Sequence, residues 1–565
     1  MYNYEKINTK KPANVESRHA YLLGGGIASL AAAAFLIRDG HMPGKNIHIL
    51  EQLDRVGGSM DGAGEWEKGY TARGGREIEA HFECFSELYS FIPSIKDPNM
   101  TVLDEFHQLN VEEPILSNCR LVENQGVAAD FSSLGLSKEH SMMLAKLAMM
   151  TEEALGGTTI EEFFTPDFLE TNFWYFWETM FAFEPWHSVV EVKRYMERFM
   201  HLISGMNRLE GILHTEYNQY DSLILPLINW LDKNGVNFHY GCTVTDIDFD
   251  FDGDKKTATC IHYEKSGTQL TQQVASEDLV MFTNGSMTEN TTRGSLHEPA
   301  VLNRSEDKGC FSVWEKLSKK SEDFGHPEKF CSDIDKTKWM SFTVTMKDDE
   351  IVFPYLEKLT KNPTGMNGLV TIKDSSWLMS WVLPKHPHFM NQPDNIHVIW
   401  AYALRLDVPG DYVKKTYSEC TGQEMFEELL YHMGLQEKIP EILKTTINVI
   451  PAMMPYITAQ FMPRVAGDRP QVIPKGSQNF AFLGQFAEVE HDCVFTVEYS
   501  VRTAMMAVYG LLNLEKQVDP VYPAWYDVRV LVNAAKTCLG LDKVPLGQLT
   551  LNQLLQKSEL SQFLK

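Results

Sequence analysis

The chain has 565 residues, of which 44% are apolar and 22% charged, a balance that excludes a disordered polymer and fits several packed domains. A formal charge of −25 argues against a generic polyanion partner, because phosphate binding needs basic surface, so no nucleic acid is expected. The nine cysteines show neither CxxC spacing nor dense pairing, and neither an apolar leader nor a run of about 18 apolar residues occurs, so no metal, disulfide framework or membrane span is signalled and a soluble, cytoplasmic chain is expected.

The first predicted element is the strand AYLL, which runs into Gly24-Gly25-Gly26, the alanine-rich helix IASLAAAAFLIRDG and a second strand, IHIL, ending in Glu51. This is the pattern of a βαβ unit: glycines let the backbone approach a pyrophosphate, the helix N-terminus faces its charge, and the acid at the second strand end accepts from a ribose hydroxyl. The third position of the glycine fingerprint is Ser29, small enough for close helix–strand packing. RVGGSMDG (55–62) and ARGGRE (72–77) follow. These glycine–arginine clusters resemble the extended FAD fingerprint of amine oxidase and phytoene desaturase flavoproteins. That resemblance implies an α/β fold with a Rossmann-type FAD-binding domain.

Further along, residues 135–235 read as helical and unusually aromatic, with NFWYFWETMFAFEPW at 172–186. Val192, Tyr195, Phe199 and Leu202 recur at spacings of three and four and so share one helix face. GVNFHYGCTVTDIDFDF (235–251) and DLVMFTNGS (278–286) are expected as strands of the adenine-side sheet. Residues 311–465 mix strands and turns with more aromatics, and the two aromatic regions fit either plain core or a long apolar cavity between domains. NFAFLGQFAE (479–488) predicts a buried strand ending at Gly484, and 495–512 a helix with an apolar face. The expected organisation is FAD-binding 1–134, 236–300 and 466–515, a helical substrate domain 135–235, a second substrate domain 301–465, and a C-terminal helical segment 516–565.

A broader resemblance rests on GGGIASLAAAAFLIRDG, GGSMDG, ARGGREIEAHFEC, TNFWYFWETMFAFEPWHS, KRYMERF, YNQYDS, FTNGSMTE, FGHPEKF, CTGQE, MPYITAQFMPR, GDRPQVIP and FAEVEHDCVFTVEYSVRTAM, which run nearly end to end. Together they resemble the oleate hydratase family, formerly called myosin-cross-reactive antigens. The resemblance implies a hydro-lyase that adds water across an isolated cis double bond, typically cis-9, of a long-chain fatty acid such as oleate or linoleate. It requires FAD, better reduced, without net redox. By the family pattern Glu77 is the water-activating base and Tyr195 the proton donor. Read from the residues alone, Glu77 also fits an ion pair with Arg73 or Arg76, and Tyr195 a plain core tyrosine. The implied flavin contacts are Gly24, Gly26, Ala28, Glu51, Ser59, Arg76, Glu77, Val244, Ser286, Thr496 and Ser500. Gln219 and His388 are implied as holders of the substrate carboxylate. Val382 and Pro384 stand where some members carry Thr and Asn, and neither can donate a side-chain hydrogen bond. Lys385 and His386 are candidate substitutes.

The segment 546–565 is amphipathic in outline, and in relatives such a tail docks on the membrane. Its few lysines fit weak peripheral contact, or equally a helix packed on the protein itself; a homodimer is common in the family. Alternatives to the hydratase are a double-bond isomerase, a redox flavoenzyme and a silent lipid-binding flavoprotein.

Overall fold

Ala20–Leu23 forms β1, buried on both faces as parallel strands are. It leads into α1, Ile27–Arg38, whose residues from Ile27 to Leu36 are all buried. The run of alanines lets this helix lie close on the sheet, and Leu30, Phe35 and Leu36, at 0% exposure, each contribute about 1.5–3 kcal/mol of apolar burial. β2 is Ile47–Leu50, β3 Asn237–His239, β4 Leu279–Thr283 and β5 Phe480–Leu483. They make one five-stranded parallel sheet in the order β5-β4-β1-β2-β3, with Ala20 opposite both Ile47 and Leu279, and Thr283 opposite Leu483. The structure, a computed structural model, describes residues 9–75, 77–347 and 350–538. The α/β class and the βαβ unit expected from the sequence are both present.

Two helices that matter for the site follow in the chain. The first, α2, is Asn172–Phe181, capped by the Thr171 hydroxyl; the second, α3, is Val189–Phe199, capped by Ser188. The helix α4, Val497–Leu511, capped by Thr496, packs against α1, and the Tyr509 hydroxyl donates to Asp39 at 2.7 Å. The last helix of the sheet domain therefore closes on the first, and the last strand, β5, on β4.

The expectation for 235–251 needs correction. β3 joins the parallel sheet, but Cys242–Asp252 forms a separate antiparallel sheet with Lys255–Lys265 and Thr268–Gln273. The hairpin turns at Gly253, whose φ of +59° suits glycine. An eight-stranded sheet forms the second layer. Its centre is Trp339–Lys347, antiparallel to both Thr446–Met454 and Ile396–Ala403. Leu121–Glu123 and Val127–Ala128 complete its far edge. Among the described residues no helix is long and apolar enough to cross a membrane.

Candidate active site

The carboxyl ends of β1, β2 and β4 converge on a glycine-lined cradle. Gly24 has φ +100°, and a Cβ there would come 3.3 Å from that of Thr283. A Cβ on Gly58 would stand 3.0 Å from the Gly26 Cα, so two backbone segments touch where a pyrophosphate would lie. Gly26 caps α1 without a side-chain hydrogen bond, and the first turn carries no acid, leaving the positive end of the helix open to an anion. The Glu51 carboxylate accepts the Gly25 N–H at 2.7 Å and the Leu53 N–H at 2.9 Å, and burial raises its titration. Around these strand ends Ser29 Oγ, Thr283 Oγ1 and Asn284 Oδ1 are buried with no hydrogen-bond partner among the described residues. Close glycines, a bare helix start and orphaned polar atoms fit a bound dinucleotide.

The other cofactor candidates distribute around this cradle. Ala28 lies buried in the first turn of α1, and Ser59 follows the Gly57-Gly58 turn. Val244 sits two residues beyond Cys242, whose N–H donates to the Glu51 carbonyl at 2.9 Å. Ser286 accepts the Thr288 N–H at 3.3 Å in the turn after β4. Thr496 and Ser500 stand one turn apart at the start of α4. Arg76 lies outside the described residues.

Beside the cradle opens a predominantly apolar cavity of about 280 Å³. Glu77, Tyr195, Gln219, His388 and Thr496 all line it, so one space unites the residues proposed for catalysis, carboxylate binding and flavin contact. The aromatic segment serves both core and cavity: Phe176, Trp177 and Phe181 of α2 face the cavity, while Trp174 is buried and donates to Glu178 at 2.8 Å. Trp339, Trp400 and Tyr402 close the wall from the eight-stranded sheet. On the Tyr195 face, Phe199 and Leu202 line the cavity and Val192 packs in the core. Leu202 lies past the end of α3, in the 3-10 turns Met200–Arg208.

Tyr195 is fully buried, with Phe181, Phe183 and Phe461 ring centroids 4.5, 5.1 and 5.8 Å away. Its hydroxyl donates to the Val494 carbonyl at 2.5 Å, and burial holds the phenol well above its ordinary titration. The turns of α3 on either side of Tyr195 are fixed by buried ion pairs: Glu191 with Arg464 (2.7 Å) and Arg469 (3.0 Å), Arg194 with Glu488 (2.7 Å), and Arg198 with Asp492 (3.4 Å). Burial pushes the Glu191 carboxyl up, but Arg469, Arg464 and Arg194 pull it down to about 2.

Glu77 lines the cavity. Burial pushes its carboxyl up to about 7, opposed by the Arg120 guanidinium. Arg73, offered by the sequence as a partner, is engaged elsewhere, with Asp61 at 3.0 Å and the Gly58 carbonyl at 2.7 Å. Arg120 is the charged neighbour that the sequence did not disclose. It is buried, donates to the Leu369 and Met206 carbonyls at 3.0 and 2.7 Å, and lines the cavity.

At another part of the wall, Gln219 donates to the Asp61 and Gly74 carbonyls at 3.2 and 2.8 Å. Burial lowers His388 to about 4, which leaves it neutral near pH 7 and able to donate but not to supply a charge. Val382 and Pro384 do line the cavity, as hydrocarbon wall. Of the two substitutes, Lys385 lines it and pairs with Glu113 at 2.5 Å. His386 is not part of the lining; it bonds Gln392 at 3.0 Å and stacks on His397.

The MCRA family model matches residues 17–509, most of the chain. The chain belongs to the MCRA family. Among MCRA relatives, an oleate hydratase of Streptococcus pyogenes serotype M49 (strain NZ131) is 45% identical over 542 residues, covering 94% of this chain and 92% of that protein. A linoleate hydratase of Lactiplantibacillus plantarum is 33% identical over 529 residues, covering 87% of this chain and 93% of that protein. The family resemblance read from the motifs is borne out. Among solved structures, a putative protoporphyrinogen oxidase from Exiguobacterium sp. 255-15 aligns at TM-score 0.47 and 13% identity over 88% of this chain and 99% of that one. For the MCRA chain, sheet order and the cradle define the fold without that alignment.

Proposed function

We propose that this chain is an FAD-dependent fatty acid hydratase, which adds water across an isolated cis double bond, typically cis-9, of a long-chain unsaturated fatty acid of the oleate or linoleate class. The observation that carries the proposal is the single apolar cavity that has Glu77 and Tyr195 on its wall beside the dinucleotide cradle. The names of the two relatives, one of them 45% identical, point the same way.

An unactivated alkene is a very weak base, so its protonation needs a donor aimed at one carbon in a dry site. Tyr195 supplies that proton when its hydroxyl turns from the Val494 carbonyl toward the cavity. The neighbouring carbon becomes cationic. A water held by Glu77 attacks it, the C–O bond forms, and the released proton passes to the carboxylate. A carboxyl titrating at about 7 suits this step, because a substantial fraction is ionised at neutral pH. Return of that proton to Tyr195 through solvent restores the starting state, and the sum is alkene plus water. Gly24, Gly26, Ala28, Glu51, Ser59, Val244, Ser286, Thr496 and Ser500, with Arg76, would hold FAD. In a reaction without net redox, bound FAD contributes shape and charge to the site rather than electrons. His388 and Lys385 would meet the carboxylate, and Gln219 would join them on releasing the Asp61 or Gly74 carbonyl.

Anaerobic incubation of the purified protein with FAD, a reductant and oleate or linoleate, read by mass spectrometry, tests this. A product heavier by one water, absent in Glu77→Ala and Tyr195→Phe, is expected. A rearranged product of unchanged mass would replace the hydratase with an isomerase, and intact substrate with bound flavin would leave a lipid-binding protein.

A further inference from the structure

The loop between β5 and α4 carries an unusual residue. Phe495 has φ +73°, a conformation costly for a bulky L-residue, and its side chain lines the cavity. It sits between Val494, whose carbonyl accepts the hydrogen bond of the Tyr195 hydroxyl, and Thr496, the cap of α4. That carbonyl and the Phe495 N–H belong to one trans peptide unit, so they point in opposite directions. On the N–H side stands Gln485, whose side-chain carbonyl accepts from Phe495. The Gln485 amide nitrogen donates to the Thr496 carbonyl at 2.9 Å and to Ser500 Oγ at 2.8 Å, which uses both its hydrogens. Gln485 is 7% exposed. One peptide is thus held between two side chains, Gln485 on one side and Tyr195 on the other.

We propose that Gln485 is a positioning residue for the proton donor: by holding the 494–495 peptide in its strained orientation, it fixes the acceptor that anchors the Tyr195 phenol oxygen in place at the cavity wall. The proposal rests on the hydratase reading for its catalytic consequence, though not for the structural link. Without Gln485, the peptide relaxes toward the negative φ that phenylalanine prefers, the Val494 carbonyl turns, and the phenol loses its reference. The same side chain grips Thr496 and Ser500, so the donor is aligned with the residues proposed to meet the flavin.

The test uses the full-length, FAD-loaded protein. Gln485→Leu keeps the volume and removes every hydrogen bond. With 3-fluorotyrosine in place of Tyr195, the 19F resonance at that position is expected to move in Gln485→Leu, without FAD as well as with it. For oleate hydration, kcat is expected to fall about tenfold, the worth of one misdirected hydrogen bond, with KM nearly unchanged. An unmoved resonance, or an unchanged kcat in Gln485→Leu, overturns the link. Full activity in Tyr195→Phe overturns the proton-donor reading and with it the catalytic half of this proposal; an inactive Tyr195→Phe with an unmoved resonance overturns Gln485 alone. Should Gln485→Leu fail to fold, Gln485→Met, which keeps the length of the side chain and removes the acceptor for Phe495, carries the same comparison.

Discussion

Replacing Arg120 with leucine is expected to move the acid limb of the pH–rate profile upward. In the parent protein the Glu77 carboxyl is pushed up to about 7 by burial against the opposing pull of Arg120. Removing the guanidinium leaves burial unopposed. Through an effective dielectric of about 20, a unit charge roughly 6–8 Å away is worth about 2–3 kcal/mol. That free energy displaces a titration by about 1.5–2 pH units. The base proposed here works ionised, so activity is expected to rise with pH through the Glu77 titration and the variant to need a higher pH to reach the same rate. At pH 6 the ionised fraction falls from roughly one-tenth to a few thousandths or less, and kcat/KM with it by about 30- to 100-fold. The loss narrows steadily toward alkaline pH. The assay is hydration of oleate across pH 5.5 to 9.5 (a range of about four units spanning both limbs), with product quantified by mass. Arg120→Lys, which keeps the cation, serves as the control and should retain a limb near that of the parent. A limb that stays in place in Arg120→Leu, or moves to lower pH, refutes the electrostatic account of Glu77.

Further outcomes are expected at the cradle, at Lys385 and in α3. Glu51→Ala, which deletes the acceptor at the end of β2, should weaken FAD binding by about 10- to 100-fold in a flavin titration, and Gly58→Ala should purify with little flavin because its methyl meets the Gly26 backbone. Lys385→Met should raise KM for oleate with little change in kcat, whereas Glu113→Gln, which removes the shorter of the ion pairs of Lys385 and leaves Glu216 at 4.0 Å, should lower KM. Glu191→Gln leaves Arg464 and Arg469 buried against a neutral group and should cost about 3–5 kcal/mol of stability at neutral pH in denaturant unfolding. Because the folded-state Glu191 titrates near 2, below its usual value, its contribution is full above about pH 4.5 and disappears as pH falls toward 2, so the gap between parent and variant should close there.

What the sequence disclosed follows the range over which each signal acts. Gly24, Gly26 and Glu51 are legible because a glycine turn, a helix start and a strand end lie within one short stretch of chain and constrain one another. Glu77 and Tyr195 carry no local sign of their roles; a buried tyrosine and an acid after a glycine turn are common, and only the family motifs single them out. Arg120 was missed because its relation to Glu77 exists only across the folded cavity. Gln485 escaped for the same reason, since its partners are defined by backbone orientation at Phe495. The misplaced strand Cys242–Asp252 shows a different limit. Its alternation of apolar and acidic residues marks a half-exposed strand but does not say which sheet it joins, although Asp252-Gly253 is itself a hairpin signal. The amphipathic reading of 546–565 and the role of Arg76 fall outside the described residues.

The pairing of β5 with β4 sets a condition on how the protein comes into being. Synthesis delivers β1, β2 and β4 early, yet the neighbour that covers the edge of β4 and the helix that covers α1 are among the last described segments to emerge. Until then a nascent chain carries a bare parallel edge and an alanine-rich helix lacking its α4 partner, both liable to sticky encounters with other chains. Closure joins residues far apart in the chain, which makes it slow by topology and places it after α4 has emerged from the ribosome exit tunnel. A frameshift or premature stop near the C-terminus would thus remove more than Thr496 and Ser500. It would deny the N-terminal half its finishing contacts, and production of such a truncated chain is expected to end in proteolysis or inclusion bodies rather than in a soluble, cofactor-free protein.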